Sequence, residues 1–86
     1  MSNKQRFKNA VKAFAIRRNG VDMQFYAKQN EDGSKEYLAK VPLRDDWTHL
    51  FHFDGNDTVT IKKRLSDPWG DMITLDAFEI AYGGVA

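Results

Sequence analysis

No cysteine occurs anywhere in the chain, so neither a disulfide framework nor a thiolate metal site is available to supplement a small hydrophobic core. With no redox chemistry to place it elsewhere, the cytosol is the expected compartment. Long apolar runs are missing as well. The longest, Ala13 to Ile16 and Leu75 to Tyr82, fall far short of the roughly 18 residues of a membrane span, and the first ten residues lack the apolar stretch of a signal peptide. No membrane role is expected. Only two prolines interrupt the chain, and its six glycines form neither a phosphate-binding loop nor a dinucleotide fingerprint. No cofactor is expected. Ser2, Ser34 and Ser66 occur in no nucleophile motif, and the paired carboxylates Asp45 with Asp46 and Asp67 with Asp71 fall in solvent-facing turns where nothing would raise a pKa. The expectation is a protein without catalytic residues.

What is present suffices for one core. The 86 residues are 42% apolar and include six Phe, three Tyr and two Trp, and a chain of this size hides about 60 to 65% of its unfolded surface on folding. One domain spans residues 1–86. Its net charge of +1 conceals an asymmetry. Residues 1–20 hold six bases and no acid, residues 21–55 four bases against seven acids, and residues 56–86 three against five. One end is basic and the rest mildly acidic.

Near the start, Phe7, Ala10, Val11 and Phe14 fall at the i, i+3, i+4, i+7 spacing of a buried helical face, with Ser2 available as an N-cap and Lys4, Lys8 and Lys12 as a flanking row. A helix ending near residue 13 is expected, because Ile16 would otherwise point away from that face. Asn19-Gly20 is a two-residue hairpin signal, which would pair a strand over residues 14–18 with one over residues 21–28. Gln29 to Ser34 reads as a polar turn, and Tyr37, Ala39, Val41 and Leu43 then alternate as a strand that ends near Pro42.

The second half is less regular. Asp45 or Asp46 could cap a helical turn using Trp47, Leu50 and Phe51, whereas His49, Phe51 and Phe53 equally suit a strand. Asp54-Gly55-Asn56-Asp57 is a tight turn before residues 58–65, where Lys63 shares a face with Val59, Ile61 and Leu65. Asp67-Pro68-Trp69-Gly70 has the residues of a type I turn. For residues 72–82, alternation of Phe78, Ile80 and Tyr82 favours a strand, while Leu75, Phe78 and Tyr82 also fit a helix opened by Thr74 and stopped by Gly83-Gly84. The fold class is therefore α+β: a short N-terminal helix packed on a five- or six-stranded, mostly antiparallel sheet or small barrel built from hairpins.

The two histidines, His49 and His52, face opposite sides of a strand, and zinc needs at least three protein ligands. No metal site is expected from them, nor from Asp54 to Asp57, which lacks the spacing of an EF-hand loop. Binding surfaces remain. Trp47 and Trp69 stand among Asp45, Asp46, Asp67 and Asp71; the first expectation is that the indoles cap the core, and if exposed they become anchors for a basic protein surface. A second candidate, for nucleic acid, is the basic segment Lys4, Lys8, Lys12, Arg17 and Arg18, with Tyr26 or Tyr37 stacking on bases. An open strand edge, able to build oligomers, is the third. The leading expectation is a partner-blocking protein-binding module of the kind that phages and mobile elements carry, acting in the host cytoplasm. A structural subunit of a virion or connector comes next, and nucleic-acid binding third.

Overall fold

The computed structural model describes residues 1–18, 23–43 and 47–84. Its elements run α1 (Asn3–Arg17), β1 (Gln24–Gln29), β2 (Lys35–Val41), β3 (His49–Phe53), β4 (Thr58–Lys62), β5 (Met72–Thr74) and α2 (Leu75–Ala81). The strands form one antiparallel meander in the order β1-β2-β3-β4-β5. This is the expected α+β architecture, with the sheet open and no barrel closed.

Period-two alternation places the inner rows. Phe25, Ala39, Phe51 and Ile61 lie in register across four strands, and beside them run Ala27, Tyr37, Phe53, Val59 and Ile73. Onto that face α1 lays Phe7, Ala10, Val11, Phe14 and Ala15, all buried, and α2 adds Leu75 and Phe78. Phe7 is the meeting point. Its ring lies 5.1 Å from that of Phe53, 5.6 Å from Phe78 and 6.0 Å from Phe25, so one side chain joins both helices to the first and third strands.

Both helices begin on a side-chain cap. The Ser2 hydroxyl accepts from the Gln5 N–H, and that of Thr74 from the Ala77 N–H, each at 3.1 Å. An ion cluster then ties the helices together. Arg6 donates from Nε to Glu79 at 3.0 Å and from its terminal nitrogen to Glu79 and Asp76. Those carboxylates, Glu79 foremost, hold the guanidinium well above its ordinary pKa. Arg17 closes the other end by donating to the Tyr82 carbonyl.

Several expectations are corrected. The helix does not end near residue 13 but continues through Arg17, so residues 14–17 form no strand. Burial of Phe14 and Ala15 on the core face outweighs the exposure of Ile16, which stands 76% open to solvent. The Asn19-Gly20 turn lies outside the described residues. At the C-terminal end the helical reading prevails. Only residues 72–74 are strand, and the Thr74 cap then starts α2, which leaves Ile80 exposed where alternation would have buried it. Lys63 and Leu65 lie beyond the end of β4 and are exposed. In the β4–β5 connection the turn hydrogen bond joins the Asp67 N–H to the Arg64 carbonyl, because the Gly70 N–H is committed to the Ile61 carbonyl at 2.8 Å.

The β3–β4 turn is built as expected. Asp54 Oδ1 accepts from the N–H groups of Asn56, Asp57 and Thr58, and Gly55 has φ +87°, a conformation that costs other residues roughly 1–2 kcal/mol. A Cβ at Gly55 would also overlap the Lys35 carbonyl oxygen. Gly55→Ala is expected to lower unfolding free energy by about 2 kcal/mol or more, and Phe7→Ala by about 3–5 kcal/mol. Urea titration followed by circular dichroism measures both; losses under about 1 kcal/mol would show that neither position carries the strain or packing assigned to it.

Candidate functional site

With both helices on the inner face, the described residues leave the outer face of the sheet without a helical layer. The register sets Tyr26, Leu38, His52, Thr60 and Met72 in one row across all five strands. A neighbouring row holds Gln24, Lys40, Leu50 and Lys62, and Lys28 stands opposite Glu36. Tyr26 is 52% exposed and Met72 71%. His52 Nε2 lies 2.8 Å from Glu36 Oε1. Hydrogen bonding from His52 is the largest cause holding the Glu36 carboxyl below the usual range.

Trp69 belongs to the connection between β4 and β5. Because the Gly70 N–H is bonded to the Ile61 carbonyl, the connection folds back along β4 and brings the indole to within 6.3 Å of the His52 ring, edge to face. Gly70 permits that approach, since a Cβ there would lie 2.8 Å from the Ile61 oxygen. The Lys62 ammonium lies 5.4 Å from the Trp69 ring centre. Tyr26, Leu38, His52 and Trp69, with Lys28 and Glu36, line a mainly apolar depression of about 290 Å³.

The two tryptophans do not cap the core. Trp47 is 39% exposed and Trp69 45%. Each is in contact with a cation, Trp47 with the Arg64 guanidinium at 3.8 Å and Trp69 with Lys62. No ring contact joins them to each other among the described residues. Asp67 and Asp71 are exposed and line a second depression, of about 440 Å³, with Ile61, Lys62, Ile73 and Tyr82. Asp45 and Asp46 lie outside the described residues. Each indole therefore has a cation over its ring, although its sequence neighbours are aspartates.

The basic segment is largely engaged with the protein itself. The Lys4 and Lys8 ammoniums lie 5.7 Å and 5.2 Å from the ring centres of Tyr37 and Phe25, and Arg18 lies 5.8 Å from that of Phe14. Arg17 is bonded to α2, while Lys12 is exposed. Tyr37 cannot meet a base, because it is buried on the inner face between Phe25 and Phe53.

The histidines separate as a strand requires. His52 is on the outer face, whereas His49 is buried beside Phe14 and Phe51, and no group of three or more His, Asp or Glu able to hold a metal occurs among the described residues. No described helix is long and apolar enough to cross a membrane. No protein-family model, curated protein or solved structure matches the chain.

The sequence did not single out Leu38, Met72, Lys40 or Lys62 as surface-forming. Alternation signals one face per strand, but that all these positions share the face without a helical layer follows only from the placement of both helices.

His49 Nδ1 is buried without a hydrogen-bond partner. Burial, then the charges of Arg18 and Lys63, push the imidazole below its ordinary value of 6.5. The unfolded chain thus takes up a proton near pH 6.5 that the folded chain resists, so stability falls as pH drops below about 6.5. Thermal melts between pH 7.5 and 5.5 are expected to show a falling Tm in the wild type and a much flatter profile in His49→Phe; equal slopes would place the titration elsewhere.

Proposed function

We propose that the protein is a non-catalytic protein-binding module whose uncovered sheet face occupies, and thereby blocks, the surface of another protein. The observation that carries this reading is the apolar depression on that face. It combines an exposed tryptophan and tyrosine with aliphatic Leu38, in the same cross-strand row as exposed Met72, and aromatic anchors within a polar rim are the usual anatomy of a protein interface. Lys28, Lys40 and Lys62 supply a basic rim, which fits a partner surface richer in carboxylates. Aliphatic groups and the Glu36 carboxylate at the centre favour a protein over a polyphosphate chain.

The role fits a small accessory protein, of the kind phages and mobile elements carry, acting in the cytoplasm of a host cell. The β1 edge, which among the described residues pairs with β2 alone, favours a second reading, a subunit of a larger assembly.

The test is recovery of a partner from nuclease-treated host lysate on immobilised wild-type protein, compared with the double variant Trp69→Ala, Leu38→Lys. Both residues lie outside the inner core, so the variant is expected to keep its circular dichroism spectrum and lose partner affinity by at least about 30-fold, the scale of one interface hot spot. One host protein held stoichiometrically by the wild type alone supports blocking. Undiminished retention by the folded variant, or loss of every partner on nuclease treatment, overturns the proposal.

A further inference from the structure

The sheet has two edges of unequal character. At one, β5 is three residues long and runs directly into α2; at the other, β1 offers six residues, and among the described residues it pairs with β2 alone. Natural sheets protect such an edge with proline, a bulge or several charges. Here the register from Gln24 opposite Lys40 to Gln29 opposite Lys35 runs without interruption, β1 contains no proline, and its single charge is Lys28. Phe25, on the inner face, is only partly buried, and Tyr26, on the outer face, is 52% exposed.

We infer that β1 is a self-association edge, and that a second copy of this chain adds its own β1 antiparallel to it about a two-fold axis through Tyr26. Symmetry and the pleat fix that arrangement. A two-fold normal to the sheet keeps each face on its own side, so only residues of equal parity stand opposite one another. Centred on Tyr26, it sets Tyr26 against its own copy, Phe25 against Ala27, and Gln24 against Lys28. Each pair is compatible: two tyrosine rings meet on the outer face, a small residue leaves room for Phe25 at the end of the inner core, and an amide faces an ammonium. No like charges are opposed within the strand pair. The two five-stranded sheets become one of ten strands, and their outer faces join into a double-length surface. Since the Lys8 ammonium lies over the Phe25 ring, the axis also brings two basic helices to the same side of the joined sheet, so association tightens as salt screens them.

The absence of cysteine makes the register directly testable. In this arrangement the two copies of residue 26 have Cα atoms about 4.5–5.5 Å apart, within disulfide range, whereas the two copies of residue 24, or of residue 28, are roughly 14 Å apart. Under mild oxidation Tyr26→Cys is expected to give a covalent dimer. Gln24→Cys and Lys28→Cys are expected to form no covalent dimer separately and to cross-link to each other when mixed. Sedimentation of the unmodified protein is expected to show dimers of twice 9.9 kDa, tighter at high salt than at low. Tyr26→Lys, which opposes two ammoniums at the axis, is expected to be monomeric with an unchanged circular dichroism spectrum, because the Tyr26 hydroxyl bonds only to Gln24 on its own strand. A wild type that remains monomeric at millimolar concentration overturns the inference, as does a dimer that fails to cross-link at residue 26.

Discussion

The ring of Phe7 is the constraint on which the remaining architecture rests. It stacks on Phe53 and is tilted against Phe78 and Phe25, so the first helix, the last helix and two strands share one centre. Around it the aromatic packing continues through Phe51, Phe14 and Tyr82, whose ring centres lie 5.3–5.5 Å apart. An 86-residue chain has little apolar material beyond one core. Drawing both helices to this cluster stabilises the inner face and leaves the outer face, among the described residues, without a helix over it, so the candidate surface is a consequence of how the core is built.

Much of this was legible because a meander of hairpins maps sequence onto space simply. Each strand's alternation decides its inner side, and polar turns such as Asp54 to Asp57 preserve the register from one strand to the next. Legibility ended where local and tertiary preferences differ. Ile16 argued for an early helix end, yet Phe14 beside Phe51 and His49 returns more than the exposure of one isoleucine costs. The last segment could alternate or wind. The winding form satisfies Thr74 as a cap and sets Tyr82 on Phe78 one turn away, but what decides for it is Tyr82 meeting Phe14 and Phe51, contacts between residues far apart in sequence that no local pattern reveals.

The environment of the tryptophans was hidden for a related reason. Their sequence neighbours are aspartates, but a hairpin exchanges sequence neighbours for cross-strand ones. Trp47 lies just before β3 and Arg64 just after β4; since Leu50 stands opposite Lys62, the start of one strand adjoins the end of the other, and the indole and the guanidinium meet there. The fold-back of the β4–β5 connection onto Ile61 does the same for Trp69 and Lys62. These cationic partners become visible only once the register is known.

The division of charge along the chain has a structural use that narrows its functional meaning. Arg6 meets Asp76 and Glu79, and Arg17 meets the C-terminal end of α2, so part of the basic segment is neutralised by the acidic one on folding. Lys4, Lys8 and Arg18 rest over aromatic rings at the margin of the core, where their stems cover apolar surface while their charges remain hydrated. A polyanion would have to compete for Arg6 and Arg17, which are already bonded to α2. The sheet face combines its cations with exposed Trp69, Met72 and Tyr26, and burying those apolar groups against a partner would add a favourable term that phosphate contacts alone do not supply.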